Sequence, residues 1–357
     1  MYYFFLWFDF FVSLSTINKM NEQKPYIIDG HQDIAFNSIH CTGKDFMKRN
    51  RFDQSTLLPE PQLNQSDYVR LMESGVKVVQ GVIFPYHFEA DHSIVGSEEI
   101  GFMETNRQLD FYLELEKRSE GKVRILKNAS DLEYVFAHQD VIGIIILIED
   151  AIGVRHDLSN LQELYDRGVR IIGPVWNRDN QFAGGTDTDM GFTEAGKKLL
   201  SEMEKIGFAL DTAHMNVSDF MESVPNFGGV VINSHTCCSA LNAHRRNLTD
   251  EQLLMLAQKD GVVGVAFVTK FLKEKAEEAT ILDVKNHIDH MVSVMGIEHV
   301  AFGSDFDGVS WPNYIEKLPD VSKLSELRSL VGQTYSVSDT SKVSYENWLR
   351  VLKRILK

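Results

Sequence analysis

Residues 142–148 read IGIIILI, seven positions without a polar side chain. A strand with one wet face alternates polar and apolar residues, so an unbroken apolar run fits a strand covered on both faces. Seven further β-rich runs recur at 26–31, 76–84, 169–175, 207–213, 230–234, 262–268 and 299–304. Amphipathic stretches separate them. SDYVRLMESG is expected to start with Ser66 as N-cap and stop at Gly75. DLSNLQELYDRG stops at Gly168, TEAGKKLLSEMEKIG at Gly207, LTDEQLLMLAQKDG (with Thr249 as N-cap) at Gly261, and ILDVKNHIDHMVSVMG at Gly296. Glycine just past the last turn is a common helix stop. Eight strand-then-helix units predict an α/β chain, and eight close a (β/α)8, TIM-like barrel. An open doubly wound sheet is the alternative. No G-x-G-x-x-G follows an early strand, so dinucleotide binding has no support. Residues 309–338 read as a long irregular loop and 339–356 as a final helix.

A chain of 357 residues with 43% apolar content supplies the core of one large barrel domain. Its net charge of −15 disfavours nucleic acid or an anionic membrane as principal partner, since both select basic patches. Three cysteines, Cys41, Cys237 and Cys238, make an odd count with two adjacent, which is no disulfide framework and points to a reducing, cytoplasmic setting. The opening MYYFFLWFDFFVSL lacks a basic flank and a cleavage site, and its 14 residues fall short of the ~20 that span a bilayer. Met20 begins a natural-looking start. Residues 1–19 are therefore read as an upstream extension outside the native protein, and 20–357 as a single barrel domain; a weak membrane anchor at 1–19 is the rival reading.

Barrel enzymes carry their chemistry at the C-terminal ends of the strands. The first run ends in His31 and Asp33, two residues apart and so on one face. The third ends in Glu149 and Asp150, the fifth in DTAHMN with His214, the sixth in NSHTCC with His235, and the eighth in GSDFDG with Asp305 and Asp307. Singly, each has an ordinary explanation: a capped surface histidine, or an aspartate bonding its own loop backbone. A carboxylate directly after IGIIILI is harder to explain, because burial demands a partner. Together, three imidazoles and three carboxylates would converge on one rim, where divalent cations relieve the repulsion. Mixed imidazole and carboxylate donors suit zinc or a similar metal, and a shared carboxylate lets five ligands hold two ions. His40, His87, His92, His138 and His156 have no matching position, and His287, His290 and His299 lie in or after a helical stretch.

DGHQD, IED after the third run, GVR at the fourth, GFALDTAHM, SHTCCSALNAHRRNLTDEQL and GSDFDG occur together, in order, over residues 26 to about 355. In this the chain resembles the membrane (renal) dipeptidase family of zinc peptidases. The resemblance implies a barrel of the metallo-dependent hydrolase type with two Zn2+ ions per chain, a dipeptide substrate and a homodimer. It implies that His31 and Asp33 bind one ion, that His214 and His235 bind the other, and that Glu149 bridges them. Arg246, eleven residues after His235, would grip the dipeptide's C-terminal carboxylate, and Asp305 would be the catalytic acid/base. Water between two zinc ions ionises near neutral pH and can attack the peptide carbonyl. The acidic rim would favour a free α-amino group.

Two positions depart from the family pattern. Asp150 stands where glycine usually follows the bridging glutamate. Trp176 stands where mammalian members carry a histidine after the fourth strand, which leaves oxyanion stabilisation to the ions and puts β-lactam cleavage and D-residue preference in doubt. The ending LRVLKRILK lacks the apolar tail of a lipid-anchor signal, so no membrane partner is expected. Two other functions stay open at this point. One is a barrel amidohydrolase acting on cyclic amides or esters, although such enzymes usually show H-x-H on the first strand and a lysine on the fourth. The other is a metal-binding homologue without turnover.

Overall fold

The computed structural model describes residues 26–52, 63–88, 94–309 and 313–357. The expectation for residues 1–19 lies outside them. Eight parallel strands form the central sheet: β1 (Ile27–Gln32), β2 (Val76–Ile83), β3 (Ile142–Glu149), β4 (Val169–Gly173), β5 (Ala209–Asp211), β6 (Val231–Thr236), β7 (Val263–Val265) and β8 (Val300–Phe302). β2 pairs with β1, β1 with β8, and the series runs down through β7, β6, β5 and β4 to β3. β2 then pairs with β3, Val78 opposite Gly143 through Ile83 opposite Ile148, and the ring closes. The expected barrel is the one observed, and the open sheet is excluded.

Every residue of β2 and β3 is buried. That is the double-sided covering the apolar runs called for: side chains alternate between the barrel interior and the helical layer, and both are dry. A short strand Val123–Ile125 adds to the start of β3, and a hairpin pairs His87–Phe88 with Ile94–Val95. Gly264 of β7 and Gly303, just past β8, both approach the backbone of β6. A Cβ at Gly264 or Gly303 would come within about 2 Å of the Ser234 carbonyl oxygen, so only glycine lets these backbones approach.

Several helices lie outside the sequence expectation. The 21-residue helix Glu98–Arg118 buries Gly101, Glu104, Thr105 and Gln108 beside Leu109, Tyr112 and Leu115. A buried face so rich in polar and small residues hides the apolar periodicity that reveals a helix. Its ends are nevertheless well marked, by the Ser97 N-cap, by Glu98 and Glu99 in the first turn, and by Lys117 and Arg118 in the last. Ala129–Ala137 and Val217–Asn226 were also unforeseen. The N-cap of Tyr68–Ser74 is Asp67, whose carboxylate accepts from Arg70 N; Ser66 instead donates its hydroxyl to Gln32 Oε1 (2.7 Å). The segment 309–338 is not wholly irregular, since it contains the helix Leu324–Val331. The last helical run begins at Val337, passes through a π-turn at Lys342–Glu346 and ends at Ile355. It seats Trp348 against Gly30, with the indole N–H donating to Phe302 O (2.8 Å).

Candidate metal centre

The residues singled out in the sequence meet at the C-terminal rim of the barrel. His31 lies in β1 and Asp33 just past it; Glu149 ends β3; His235 lies in β6. His214 and Asp305 follow β5 and β8 in left-handed turns, at φ 66° and 64°. His31, Asp33, Glu149, His214 and His235 are all at most 6% exposed.

Glu149 sits at the middle and presents one oxygen to each side. Its Oε1 lies 2.8 Å from His214 Nε2 and 3.6 Å from His235 Nε2. Its Oε2 lies 3.6 Å from His31 Nε2, which is 3.5 Å from Asp33 Oδ2. The Nε2 atoms of His214 and His235 are 3.1 Å apart. Zinc–nitrogen bonds of 2.0–2.1 Å in a tetrahedron place neighbouring donors about 3.3 Å apart. The observed spacings scatter around that value.

The outer nitrogens of the rings are already engaged. His214 Nδ1 faces Asn177 Oδ1 (2.8 Å), an oxygen that can only accept, so the ring proton belongs on Nδ1. Arg246 Nη2 donates to His235 Nε2 (2.8 Å), so the His235 proton is likewise on Nδ1, bonded to Ser234 Oγ at 3.0 Å. The same hydroxyl lies 3.0 Å from His31 Nδ1. The Nε2 lone pair of His214 is thereby turned inward, and that of His235 points the same way but accepts from Arg246 in this structure, the orientation that second-shell partners give to metal-binding histidines. His31 Nε2 is buried without any hydrogen-bond partner. Three lone-pair atoms, His214 Nε2, His235 Nε2 and Glu149 Oε1, converge within 2.8–3.6 Å of one another, an arrangement that a cation satisfies. These residues fit a metal.

The charges tell the same story. Burial opposes ionisation of Glu149, but the neighbouring His31 and His214 outweigh it and hold the carboxyl well below the usual range. Burial pushes Asp33 up to about 6 and Asp305 up to about 8, with His31 opposing both and the Glu149 charge adding to both. Burial draws His214 down to about 3, and Arg246 draws it further in the same direction. Three crowded carboxylates ionise together only when positive charge is supplied.

The remaining expectations divide. Arg246 is buried beside the cluster, its Nη2 also bonded to His235 O (3.0 Å), while its Nε lacks a partner. Asp305 groups with His31 and His235 as a possible donor set, and its N–H donates to His31 O (3.1 Å). Asp307 turns away: it pairs with Lys44 and accepts from Gln65 N (2.8 Å). His287 is structural, with Nδ1 accepting from Cys238 N (3.0 Å). The ring of Trp176 stands 6.0 Å from that of His214, and behind it lie Phe84 at 5.0 Å and Tyr86 at 5.4 Å, an aromatic wall. Asp150 does not face the cluster. It is fully buried and accepts from Tyr86 Oη (2.6 Å), Asn180 Nδ2 (2.6 Å), Ile152 N (2.8 Å) and Trp176 N (3.0 Å).

Sequence reading passed over Ser234, Asn177 and Asp29, which orient the cluster. Asp29 takes Ser304 N (2.8 Å), Ser304 Oγ (2.5 Å) and Gln32 Nε2 (2.6 Å), tying β1 to the turn that holds Asp305. Asp29 and Ser234 stand inside the quoted motifs DGHQD and SHTCC; Asn177 carries no local signal.

A closed parallel barrel with this cluster on its rim defines a metallo-dependent hydrolase. Residues 15–357 match the family described as membrane dipeptidase (peptidase family M19), and the chain belongs to that family. An uncharacterized protein from the pqqA 5′ region of Klebsiella pneumoniae is 34% identical over 70% of this chain and 95% of its own length. An uncharacterized dipeptidase of Schizosaccharomyces pombe is 32% identical over 63% of this chain and 55% of its own length. The crystal structure of a dipeptidase described as a metallopeptidase superposes with TM-score 0.80 at 25% identity, covering 94% of this chain and 99% of that one. A metallopeptidase of Rhodobacter sphaeroides, solved with a phosphinate mimic of L-Ala-D-Ala, gives TM-score 0.80 at 24% identity over 93% and 100% of the two chains. The chain is a metallo-dipeptidase, a hydrolase of peptide bonds that works with a metal cofactor.

Asp150 adopts φ 85°, a conformation that costs a non-glycine residue on the order of 1–3 kcal/mol. Its four hydrogen bonds offset that cost. Asp150→Gly should relieve the strain yet lower stability by about 2 kcal/mol, because four donors lose their acceptor. Thermal unfolding checks this: a higher melting temperature in the variant would mean that strain dominates.

Proposed function

We propose that this enzyme holds two Zn2+ ions, His31 and Asp33 serving one, His214 and His235 the other, with Glu149 shared, and that it cleaves free dipeptides. The observation that carries this reading is the division of Glu149, with Oε1 beside the two histidines of one set and Oε2 beside His31 of the other. Such a pair of ions supplies Lewis acidity at the peptide carbonyl and makes water ionise near neutral pH.

The chain's own groups do the rest. The guanidinium of Arg246, anchored on His235 O and with Nε unpaired, is poised to take the C-terminal carboxylate of a short peptide. A longer chain would place neutral backbone there. Asp305, a half-buried carboxyl pushed up to about 8 beside the donor set, is suited to hold a proton and deliver it to the departing amine nitrogen. The crowded carboxylates favour the substrate's free α-ammonium. Trp176, Phe84 and Tyr86 wall one side and limit the access of bulk water. Trp176 stands where a β4-end histidine would be and offers no imidazole, so cations held at the cluster would supply oxyanion stabilisation.

We further place the enzyme in the cytoplasm as a homodimer. Support comes from the three buried free cysteines and from the family likeness. Among the described residues no helix is long and apolar enough to cross a membrane.

Metal analysis beside turnover on a panel of dipeptides tests the reading. Two zinc per chain with dipeptide cleavage is expected; metal with no turnover, or turnover on cyclic amides alone, would overturn it. Glu149→Gln should lose both ions, and retention of full zinc would remove the shared role. Asp305→Asn should keep its metal while kcat falls roughly 10²–10⁴-fold. Arg246→Ala should lower kcat/KM for a free dipeptide roughly 10–100-fold, the worth of a charged hydrogen bond, but hardly change it for the C-terminal amide. Equal losses on both substrates would refute that assignment.

A further inference from the structure

A second group of metal-type side chains shares no residue with the first. His40 belongs to the π-turn Asn37–Thr42 that follows β1, His87 opens the hairpin, and Glu104 lies on the buried face of Glu98–Arg118. Residues 47 and 64 positions apart along the chain are thus brought to one point. Their donor atoms all fall within 4.8 Å of one another.

The arrangement of Glu104 parallels that of Glu149. Its Oε2 is 2.7 Å from His40 Nε2, and its Oε1 is 3.5 Å from His87 Nδ1. The two rings stand edge to face, centroids 5.5 Å apart at 84°, so their nitrogens converge on the carboxylate. The donor separations bracket the ~3.3 Å expected around tetrahedral zinc. Burial disfavours the Glu104 charge, but the bond to His40 and the nearby Arg107 and His87 outweigh it and keep the carboxyl below its usual range. The set offers one carboxylate and two histidine nitrogens, a borderline mixture of donors that selects zinc-like ions over magnesium or calcium. His40 and Glu104 side chains are 7% and 8% exposed and His87 is 44% exposed, so the fourth position opens to solvent and gives an entry path. Arg107 Nη1, 3.5 Å from Glu104 Oε1, competes for the carboxylate, but its side chain is 53% exposed and can swing clear.

We propose that His40, His87 and Glu104 form a separate binding site for a transition-metal cation of the Zn2+ type. The ion fastens three elements together: the turn behind the β1 residues His31 and Asp33, the hairpin, and the long helix. The fastening reaches the catalytic rim through rings in contact. Phe36 packs on His40 and on Phe84, both at 5.0 Å; Phe84 packs on Trp176, and Trp176 lies beside His214.

The test uses the holoenzyme with its own metal, dialysed against micromolar ZnCl2 and then against metal-free buffer. The native protein should retain one zinc more per chain than His87→Ala. His87 is half exposed, so this variant should fold and keep dipeptide turnover. Its partner His87→Cys should regain the extra equivalent, because a thiolate also binds zinc. Hydrogen exchange over residues 84–88 should slow when zinc is added to the native protein and stay unchanged in His87→Ala. Equal zinc in all three proteins would overturn the site and leave a hydrogen-bonded ion cluster. The readout is a difference between proteins, so it is independent of how many ions the catalytic rim holds.

Discussion

Everything at the rim follows from forcing carboxylates together in a dry place. Asp33, Glu149 and Asp305 are brought into one pocket by strands that are fully buried, and burial alone pushes each toward its neutral form. Glu149 escapes because imidazoles flank both of its oxygens. The site accordingly carries a standing demand for positive charge, which Arg246 meets only in part and which metal cations can meet fully. A metallopeptidase needs that demand, because a cation held there would supply positive charge to a substrate carbonyl.

Meeting the demand requires rings held in one tautomer. Ser234 serves two imidazoles with one hydroxyl, and Asn177 serves the third with an amide oxygen. Both act through hydrogen bonds at Nδ1, on the side of each ring away from the Glu149 carboxylate. The barrel makes this affordable. Glycines at 264 and 303 let β7 and β8 close on the Ser234 carbonyl, so the hydroxyl that orients His31 and His235 rides on a closely packed stretch of backbone.

Asp150 shows how a departure from the family pattern can be absorbed. The position after Glu149 lies at positive φ, where glycine is at ease and aspartate is not. Here the carboxylate turns outward from the cluster and collects donors from the hairpin approach, the β4 loop and its own turn. It therefore adds no charge among the clustered donor atoms, and it anchors the backbone of Trp176, the other residue that departs from the pattern.

How far the primary structure could be read depended on the range of the forces involved. Unbroken apolar runs such as 142–148 determined buried parallel strands, and their number determined the barrel, because side-chain periodicity is local and records burial directly. The strand-end positions of His31, Asp33, Glu149, His214 and His235 were legible for the same reason. The helix Glu98–Arg118 was not, since it buries Glu104, Thr105 and Gln108, whose partners come from elsewhere in the chain. Asn177 has no local mark, and neither did the meeting of His40 with His87 and Glu104. Those residues acquire their roles only when strands far apart in sequence set their distances and strip away water, which is a property of the closed barrel and of no single segment of it.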